Sequence, residues 1–447
     1  MVRRDHGVSV SLRLTSEDVA GVPTYWTGDV LVVGGGSAGC AAAVVAGRRG
    51  ADVCLLESGG FLGGTGTRVL DTFYGFYAPG DDAPRVVGGV GWEVCERLFA
   101  AEQGFERPNT YGAGTGVTYE PETLKVIWDD LVLAAGVRLL LYGLCTRVIS
   151  DAGVVVGVVA ETRAGPRVLR ADVVIDATGD ADVAWRAGCA LERPASERRA
   201  QPATATFRMG GVAPTPASTA ELHDRMRAAV RSGTHDLPRV EGSIHVTNLP
   251  GVRHANMTRV AGCDPTDPDD LTAAEIEGRR QVQRYAGFLV DEVPGYDNAY
   301  LLGSSSRLGI RESRRLIGEY VLTENDVLDA RDFDDAIARC GAPIEDHAAG
   351  PATRWAYVGR SEQPTGRTYG IPYRSLLPVE ADGLLVAGRC LSATHDAHAS
   401  VRSMGQCLAM GQAAGTAATL AAATSLPPRA VDRVVLRVAL AEDGAIL

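Results

Sequence analysis

The residues best spaced for chemistry form a turn, Gly34-x-Gly36-x-x-Gly39, with Glu57 following 23 residues after Gly34. Gly34 permits a sharp bend, Gly36 lets backbone approach a pyrophosphate, and Gly39 lets a helix pack closely on a strand. Ser37 and Ala38, within the turn, count with these glycines as cofactor contacts, and the N-terminus of the helix that follows offers free N–H groups and a positive dipole end to phosphate. A carboxylate about 20 residues on is placed to reach a ribose hydroxyl. Alone, such a glycine string is weak. Here its surroundings agree with it: Asp29 to Val33 is a short apolar strand, Cys40 to Gly50 an Ala-rich helix, and Ala51 to Glu57 a second strand. Two apolar strands joined by a helix imply a right-handed βαβ unit. The turn reads as an adenine-dinucleotide site.

A second glycine passage, Ser58-Gly-Gly-Phe-Leu-Gly63-Gly64-Thr65, follows directly. Only a ligand that runs on past the pyrophosphate must be followed this far, which favours FAD over NAD; the alternative is a plain loop. Two further strands end in turns that could touch the same ligand: Ile175-Asp-Ala-Thr178-Gly179-Asp180, and Leu385-Val-Ala-Gly388-Arg389 near the other end of the chain. Val148, in the apolar run Val137 to Ile149, counts among the cofactor contacts.

These residues need a scaffold. Gly88 to Ala101 and Glu120 to Ala135 read as helices, the second with Pro121 at a first-turn position. Val137 to Ile149, Val154 to Thr162 and Arg167 to Ala177 read as strands of an antiparallel meander, separated by Gly-containing turns. From about Glu197 to Arg360, parallel-strand runs vanish and helices such as Thr272 to Val290 take over. Strand character returns at Leu384, followed by a small-residue helix from about Ser403 to Ala423. The expected fold is therefore α/β. A Rossmann-like FAD-binding domain, with a parallel sheet and β-meander, occupies 29–195 and 365–425. An inserted α+β substrate or cap domain occupies 197–360, with an N-terminal extension (1–28) and a C-terminal tail (426–447).

With these blocks in place, the sequence resembles the FAD-dependent oxidoreductases of the fumarate-reductase/succinate-dehydrogenase-like flavoprotein superfamily. The likeness rests on the Gly34–Gly39 turn with Glu57, Gly63-Gly-Thr65, and Ala177-Thr-Gly-Asp180. It continues through Gly309-Ile-Arg-Glu-Ser-Arg-Arg315 with Gly318-Glu-Tyr320, and Ala387-Gly-Arg-Cys390. It ends with Ser400-Val-Arg-Ser-Met404 and Gly411-Gln-Ala-Ala-Gly415. The blocks run in order from about 29 to 423, and they specify a superfamily without specifying a substrate. The resemblance implies that the helix after Arg402-Ser403-Met404 points its N-terminus at the flavin N1–C2=O edge, where reduced flavin is anionic. The alternative is an ordinary core helix. Covalently flavinylated members carry a His soon after the Gly-Gly-Thr passage; none follows Thr65 closely, so FAD is expected to be held noncovalently.

The candidate catalytic residues are His395, His398, Arg311 and Arg402. The resemblance puts the His395–His398 loop beside flavin N5, and His398 near the place of a substrate-binding Arg, which counts against dicarboxylate reduction. A neutral imidazole there could accept a hydroxyl or amine proton while hydride leaves; hydrogen-bonded scaffolding is the alternative for both. Arg311, Arg314 and Arg315 could hold a carboxylate or pair with nearby acids. Tyr74 and Tyr77 could line the pocket or simply pack.

Other classes are disfavoured. A net charge of −11 opposes nucleic-acid partners, including an RNA-modifying role. Nothing resembles a secretory signal or a membrane span, and the nine scattered cysteines suit a reducing cytoplasm. No histidine spacing suggests a metal. Lys125, the sole lysine, lies in a helix and is no candidate for Schiff-base chemistry. Gly88-Gly-Val-Gly91 and Gly112-Ala-Gly-Thr-Gly116 follow no apolar strand, so no second dinucleotide domain is expected. The expected function is hydride transfer between a small organic substrate, an alcohol or amine C–H being favoured, and flavin N5. A C=C reductase is the runner-up, and a non-catalytic flavin-binding protein is the alternative from another class. The electron acceptor and oligomeric state are left open.

Overall fold

Apolar, β-branched residues dominate the strand that starts the unit. In the computed structural model, which describes residues 12–80, 83–109, 114–193, 200–347 and 353–447, it is β1 (Thr24–Val33). Val30, Leu31 and Val32 are fully buried, so both faces of its C-terminal half are covered, as parallel sheets require. Helix α1 (Ser37–Arg48) follows, then β2 (Val53–Leu56), parallel to β1. The strand begins earlier than Asp29: Trp26 is buried, and Arg13–Leu14 pairs in parallel with residues 148 and 149. Part of the expected N-terminal extension thus completes the sheet.

The expected strand from Val137 to Ile149 is two strands, β3 (Arg138–Leu140) and β4 (Leu144–Asp151). Tyr142, at φ 58°, and Gly143 break the run between them. β3 extends the parallel sheet beside β2, whereas β4 begins the antiparallel meander with β5 (Val154–Thr162) and β6 (Gly165–Asp176). β6 is long enough to serve both parts: its first half pairs with β5, while residues 168–176 run parallel to β1.

A second apolar cluster gathers residues between Ala203 and Leu308. Its sheet has the order β8–β9–β7–β10, formed by β7 (Phe207–Gly210), β8 (Ser243–Val246), β9 (Arg253–Asn256) and β10 (Tyr300–Ser304). Against it packs α2 (Pro268–Glu292), with Asp267 accepting at its N-terminus from Asp269 and Asp270 N–H. Buried apolar residues from Leu322 to Val358 belong instead to the large core, so this cluster ends earlier than residue 360.

The chain then returns with β11 (Leu384–Val386), parallel to β6, followed by α3 (His395–Val401) and α4 (Met404–Thr424). α4 is apolar all round, the signature of a core helix, and lies against α1 through small residues. The expected tail is also structured: Asp432 caps a helix over Arg433–Glu442 whose Leu436 and Leu440 are fully buried. Of the rejected glycine strings, Gly88 caps the helix Gly89–Ala100; Gly112 lies outside the described residues, and Gly116 sits in the strand Thr115–Tyr119. No described helix is long and apolar enough to cross a membrane, and no described group of acids, Cys or His could hold a metal ion.

Candidate functional site

One cleft, about 360 Å³, brings together the C-terminal edge of the parallel sheet, the N-terminal ends of α1 and α4, and the face of the β7–β10 sheet. Gly34, Gly36, Ser37 and Ala38 line it from the turn after β1. Gly34 takes φ +104°, and a Cβ there would lie 2.5 Å from the Ala177 carbonyl oxygen. Gly36 differs: a Cβ on it would meet only the Gly64 Cα, at 3.9 Å, so the space before the helix N-terminus is open. That cradle is what a pyrophosphate on backbone N–H groups needs. Gly39 does not line the cleft; its Cβ position is filled by the Gly34 carbonyl, in keeping with a packing role.

The second glycine passage folds back onto the first. Gly63 N–H donates to Gly35 O (2.8 Å), which leaves Gly63 behind the wall and presents Gly64 and Thr65 to the cleft. Glu57, at the end of β2, lines the cleft with Ser58. Its Oε2 accepts from Gly35 N–H (2.8 Å), and its Oε1 from Gly59 N–H (2.6 Å) and Arg68 (2.7 Å). Arg68 is a partner that the sequence did not single out. A carboxylate so fixed still has a lone pair on Oε2 for a ribose hydroxyl.

Thr178, Gly179 and Asp180 line the cleft after β6, and Gly388 and Arg389 after β11. Asp176 orders this turn by accepting from Thr178 and from Val183 and Ala184 N–H. Asp180 accepts from Arg389 (2.8 Å) and Ser313 (2.6 Å), which ties the two strand ends together. Ser403 and Met404, at the start of α4, form the adjacent wall. Val148 is a correction: it is fully buried in the sheet core beside Val155 and Val158 and does not reach the cleft.

The two histidines are also placed differently from expectation. His395 is buried in an ion network, its Nδ1 2.9 Å from Glu312 and its Nε2 3.3 Å from Asp346. Burial alone would lower its pKa, but these carboxylates raise it to about 9. His398 is fully buried, donates Nε2–H to the Arg389 carbonyl (2.8 Å), and is held neutral by burial and by Arg315 and Arg402. Neither lines the cleft. The Gly309–Arg315 block divides similarly. Arg314 pairs with Asp182 and Arg315 with Glu312, so only Arg311 of its three arginines faces the cleft.

The other end of the cleft is built largely from residues that sequence reasoning missed. β8 and β9 present Ser243, His245 and Asn256; Arg239, Glu345, His347 and Trp355 join Arg311 and Arg402. Tyr74 lines this end, whereas Tyr77 packs against Trp92 and bonds Glu106. The Tyr74 hydroxyl is 3.2 Å from His245 Nε2, and burial raises its pKa. Burial, then Arg107 and His254, lowers His245 to about 3, so its ring is neutral. Strand register explains the row behind it: His245 pairs with His254, and His254 with Arg208. His254 Nδ1 then meets Asp71 at 2.8 Å, and Arg208 meets Glu120 at 3.0 Å. Arg311 is pushed down to about 9 by burial and by Arg402 and Arg239, which line the same cleft. Arg402 Nη2 donates to Gln201, while its buried Nε has no hydrogen-bond partner among the described residues. Period-2 alternation in short strands such as Ser243–Val246 is the signal that could have found Ser243 and His245; nothing local marks Arg239 or Glu345.

The family model for FAD-dependent oxidoreductases matches residues 29–440. No curated protein matches the sequence. Among solved structures, the chain is similar to the flavin-dependent brominase Bmp2, with 14% identity, covering 93% of this chain and 83% of that one, at TM-score 0.46. It is similar also to a geranylgeranyl bacteriochlorophyll reductase-like protein from Thermoplasma acidophilum, with 14% identity over 94% of this chain and 88% of that one, at TM-score 0.46.

Proposed function

Because the chain belongs to the FAD-dependent oxidoreductase family and FAD is its cofactor, we propose that it moves a hydride between a small organic anion and the flavin, oxidation of a C–H beside an alcohol or amine being favoured. Bound FAD supplies the hydride acceptor at N5. Gly36 and Ser37 would hold the pyrophosphate, Glu57 the adenosine ribose, and the N-terminus of α4 the pyrimidine edge of the ring. The finer placement beside fumarate-reductase-like proteins rests on the ordered sequence blocks from 29 to 423.

The observation that carries this reading is the far end of the cleft, where Tyr74 and the guanidiniums of Arg239, Arg311 and Arg402 face one space. Among the described residues, none of these three arginines has a carboxylate partner within 4.0 Å. A substrate carboxylate would supply it. Tyr74 takes over the proton-handling place first assigned to His395 and His398. With the neutral His245 ring accepting its O–H and Arg107 donating to one lone pair of the phenol oxygen, the second lone pair is left to accept from a substrate O–H or N–H. In the oxidation, the C–H bond breaks with its electron pair leaving as hydride, the heteroatom's proton passes to the Tyr74 oxygen as the phenol hands its own proton to the neutral His245 Nε2, and C=O or C=N forms.

Anaerobic mixing of the FAD-loaded protein with hydroxy acids, amino acids and their neutral esters tests this. Bleaching of the flavin by an acid but not by its ester is expected. Reduction of C=C is the second reading, supported by Arg311 and Arg402 lining one space with Tyr74; reoxidation of the reduced flavin by an unsaturated acid would establish it. A flavin that no donor reduces would instead mark a binding protein.

A further inference from the structure

We infer that the substrate carries an amine as well as a carboxylate, so that the cleft receives an α-amino-acid-type zwitterion, with Glu345 as the amine's partner. The inference rests on the hydride-transfer reading of this cleft, and it chooses between the two substrate classes that reading leaves open.

Glu345 lies on the short strand Ile344–Asp346 and lines the same end as Arg239, Arg311 and Arg402. The other acids of the cleft wall, Glu57, Asp180 and Asp182, are engaged at the dinucleotide end by Arg68, Arg389 and Arg314. Glu345 is therefore the single carboxylate among the described residues lining the Tyr74 end. Burial works to raise its pKa, but the His347 hydrogen bond and the charges of Arg402 and Arg311 hold it at about 2, so it is ionised.

Despite that attraction, Glu345 does not collapse onto the guanidiniums. Its hydrogen-bond partner among the described residues is His347, whose Nε2 stands 3.1 Å from Oε1. His347 is itself fixed from behind, with Nδ1 3.0 Å from the Thr353 hydroxyl. Burial and Arg311 push its pKa down to about 4, so the neutral ring donates at Nε2 and accepts at Nδ1. This dyad holds Glu345 Oε1 and leaves Oε2 for a ligand.

Opposite charges thus face one space without touching. A plain carboxylate held by the arginines would be repelled by Glu345, because two like charges a few ångströms apart interact appreciably even through a partly polar medium. A ligand with a carboxylate and an adjacent ammonium satisfies both walls. Tyr74, whose phenol also feels the Glu345 charge, then lies near the amine.

The test titrates the FAD-loaded protein anaerobically with phenylacetate, mandelate and phenylglycine, which share one skeleton and carry H, OH or NH3+ at Cα. Binding is read from perturbation of the flavin spectrum immediately after mixing, before any bleaching. Phenylglycine is expected to bind about tenfold or more tightly than phenylacetate, the scale of one charge-assisted hydrogen bond. In Glu345→Gln that preference should shrink to within about threefold, with phenylacetate bound at least as well as before. Equal binding of all three by the unaltered protein overturns the inference while leaving the hydride reading intact, and so does a preference that survives Glu345→Gln. Failure of all three to bind, or binding indifferent to Arg402→Gln, overturns the carboxylate reading and this inference with it. The ranking in the unaltered protein decides even if Glu345→Gln folds poorly.

Discussion

Gly411 crosses Ala38 with no room for a side chain: a Cβ built on Gly411 would overlap the Ala38 carbonyl oxygen, and Ala38 Cα would stand 2.8 Å from it. One turn on, Gly415 meets Ala42 in the same way. The two pairs lock the long C-terminal helix onto the helix that opens the dinucleotide turn, joining segments more than 370 residues apart in the chain. Alanine at 411 would gain about 1 kcal/mol of helix propensity, but the clash is with backbone and cannot be relieved by a rotamer. Gly411→Ala is expected to destabilise the protein by roughly 1–3 kcal/mol and to weaken FAD binding, because Ala38 lines the cleft. Urea unfolding of the FAD-free protein and flavin retention on gel filtration would measure the two effects.

Gly36 and Gly34 should separate cofactor binding from folding. A side chain at 36 enters open space at an ordinary φ of −80°, whereas one at 34 meets the Ala177 backbone at φ +104°. Gly36→Val is therefore expected to fold with near-normal urea stability and lose roughly a hundredfold in FAD affinity, the scale of two backbone–phosphate hydrogen bonds. Gly34→Val should unfold more readily with or without FAD. Equal stability loss in both variants would show that the cradle at Gly36 is not open.

Legibility in the sequence followed locality. The βαβ unit, the glycine passages and the small-residue helix were readable because each is a continuous stretch whose period and turn residues agree. The strand 137–149 misled because the left-handed turn falls on Tyr142, at φ 58°, and the single Gly143 after it is the one residue type that marks the break. Val148 misled through register: it points into the core between neighbouring strands. His395 and His398 looked catalytic because a histidine between small residues gives no sign of its partners. Glu312 and Asp346, which claim His395, lie 83 and 49 residues away. The substrate end was largely hidden for the same reason, since Arg239, His245 and Glu345, which join Arg311 and Arg402 there, come from three separate segments of the chain.

The His395 network gives stability a pH dependence. A histidine ionises near 6.5 in an unfolded chain, and here Glu312 and Asp346 raise it to about 9. The raised value means that protonated His395 stabilises the fold fully below about pH 6.5 and progressively less from there to pH 9. The contribution is gone above that, and amounts to at most roughly 3 kcal/mol. Urea midpoints of the unaltered protein and His395→Gln should therefore differ most near pH 6 and converge by pH 9.5. A gap that stays constant across this range would show that His395 is not charged in the native state.

Tyr74 and His245 should show their roles in different observables. The phenol faces the cleft at the end where the arginines gather, and the imidazole behind it is backed by His254 and Asp71. Tyr74→Phe removes one hydroxyl and leaves the Gly36 cradle unaltered, so FAD content and melting temperature should hold. The rate of flavin reduction should fall about 10² to 10⁴-fold, as when a positioned proton-handling group is lost. His245→Asn deprives the Tyr74 hydroxyl of its acceptor and breaks a cross-strand row at the same time. It is expected to slow reduction less than Tyr74→Phe while lowering the unfolding midpoint, because His245 is buried beside His254. Rapid-mixing absorbance at the flavin band, with thermal unfolding of each variant, separates the two. An undiminished reduction rate in Tyr74→Phe would remove the phenol from proton handling and leave that role to solvent entering between the guanidiniums.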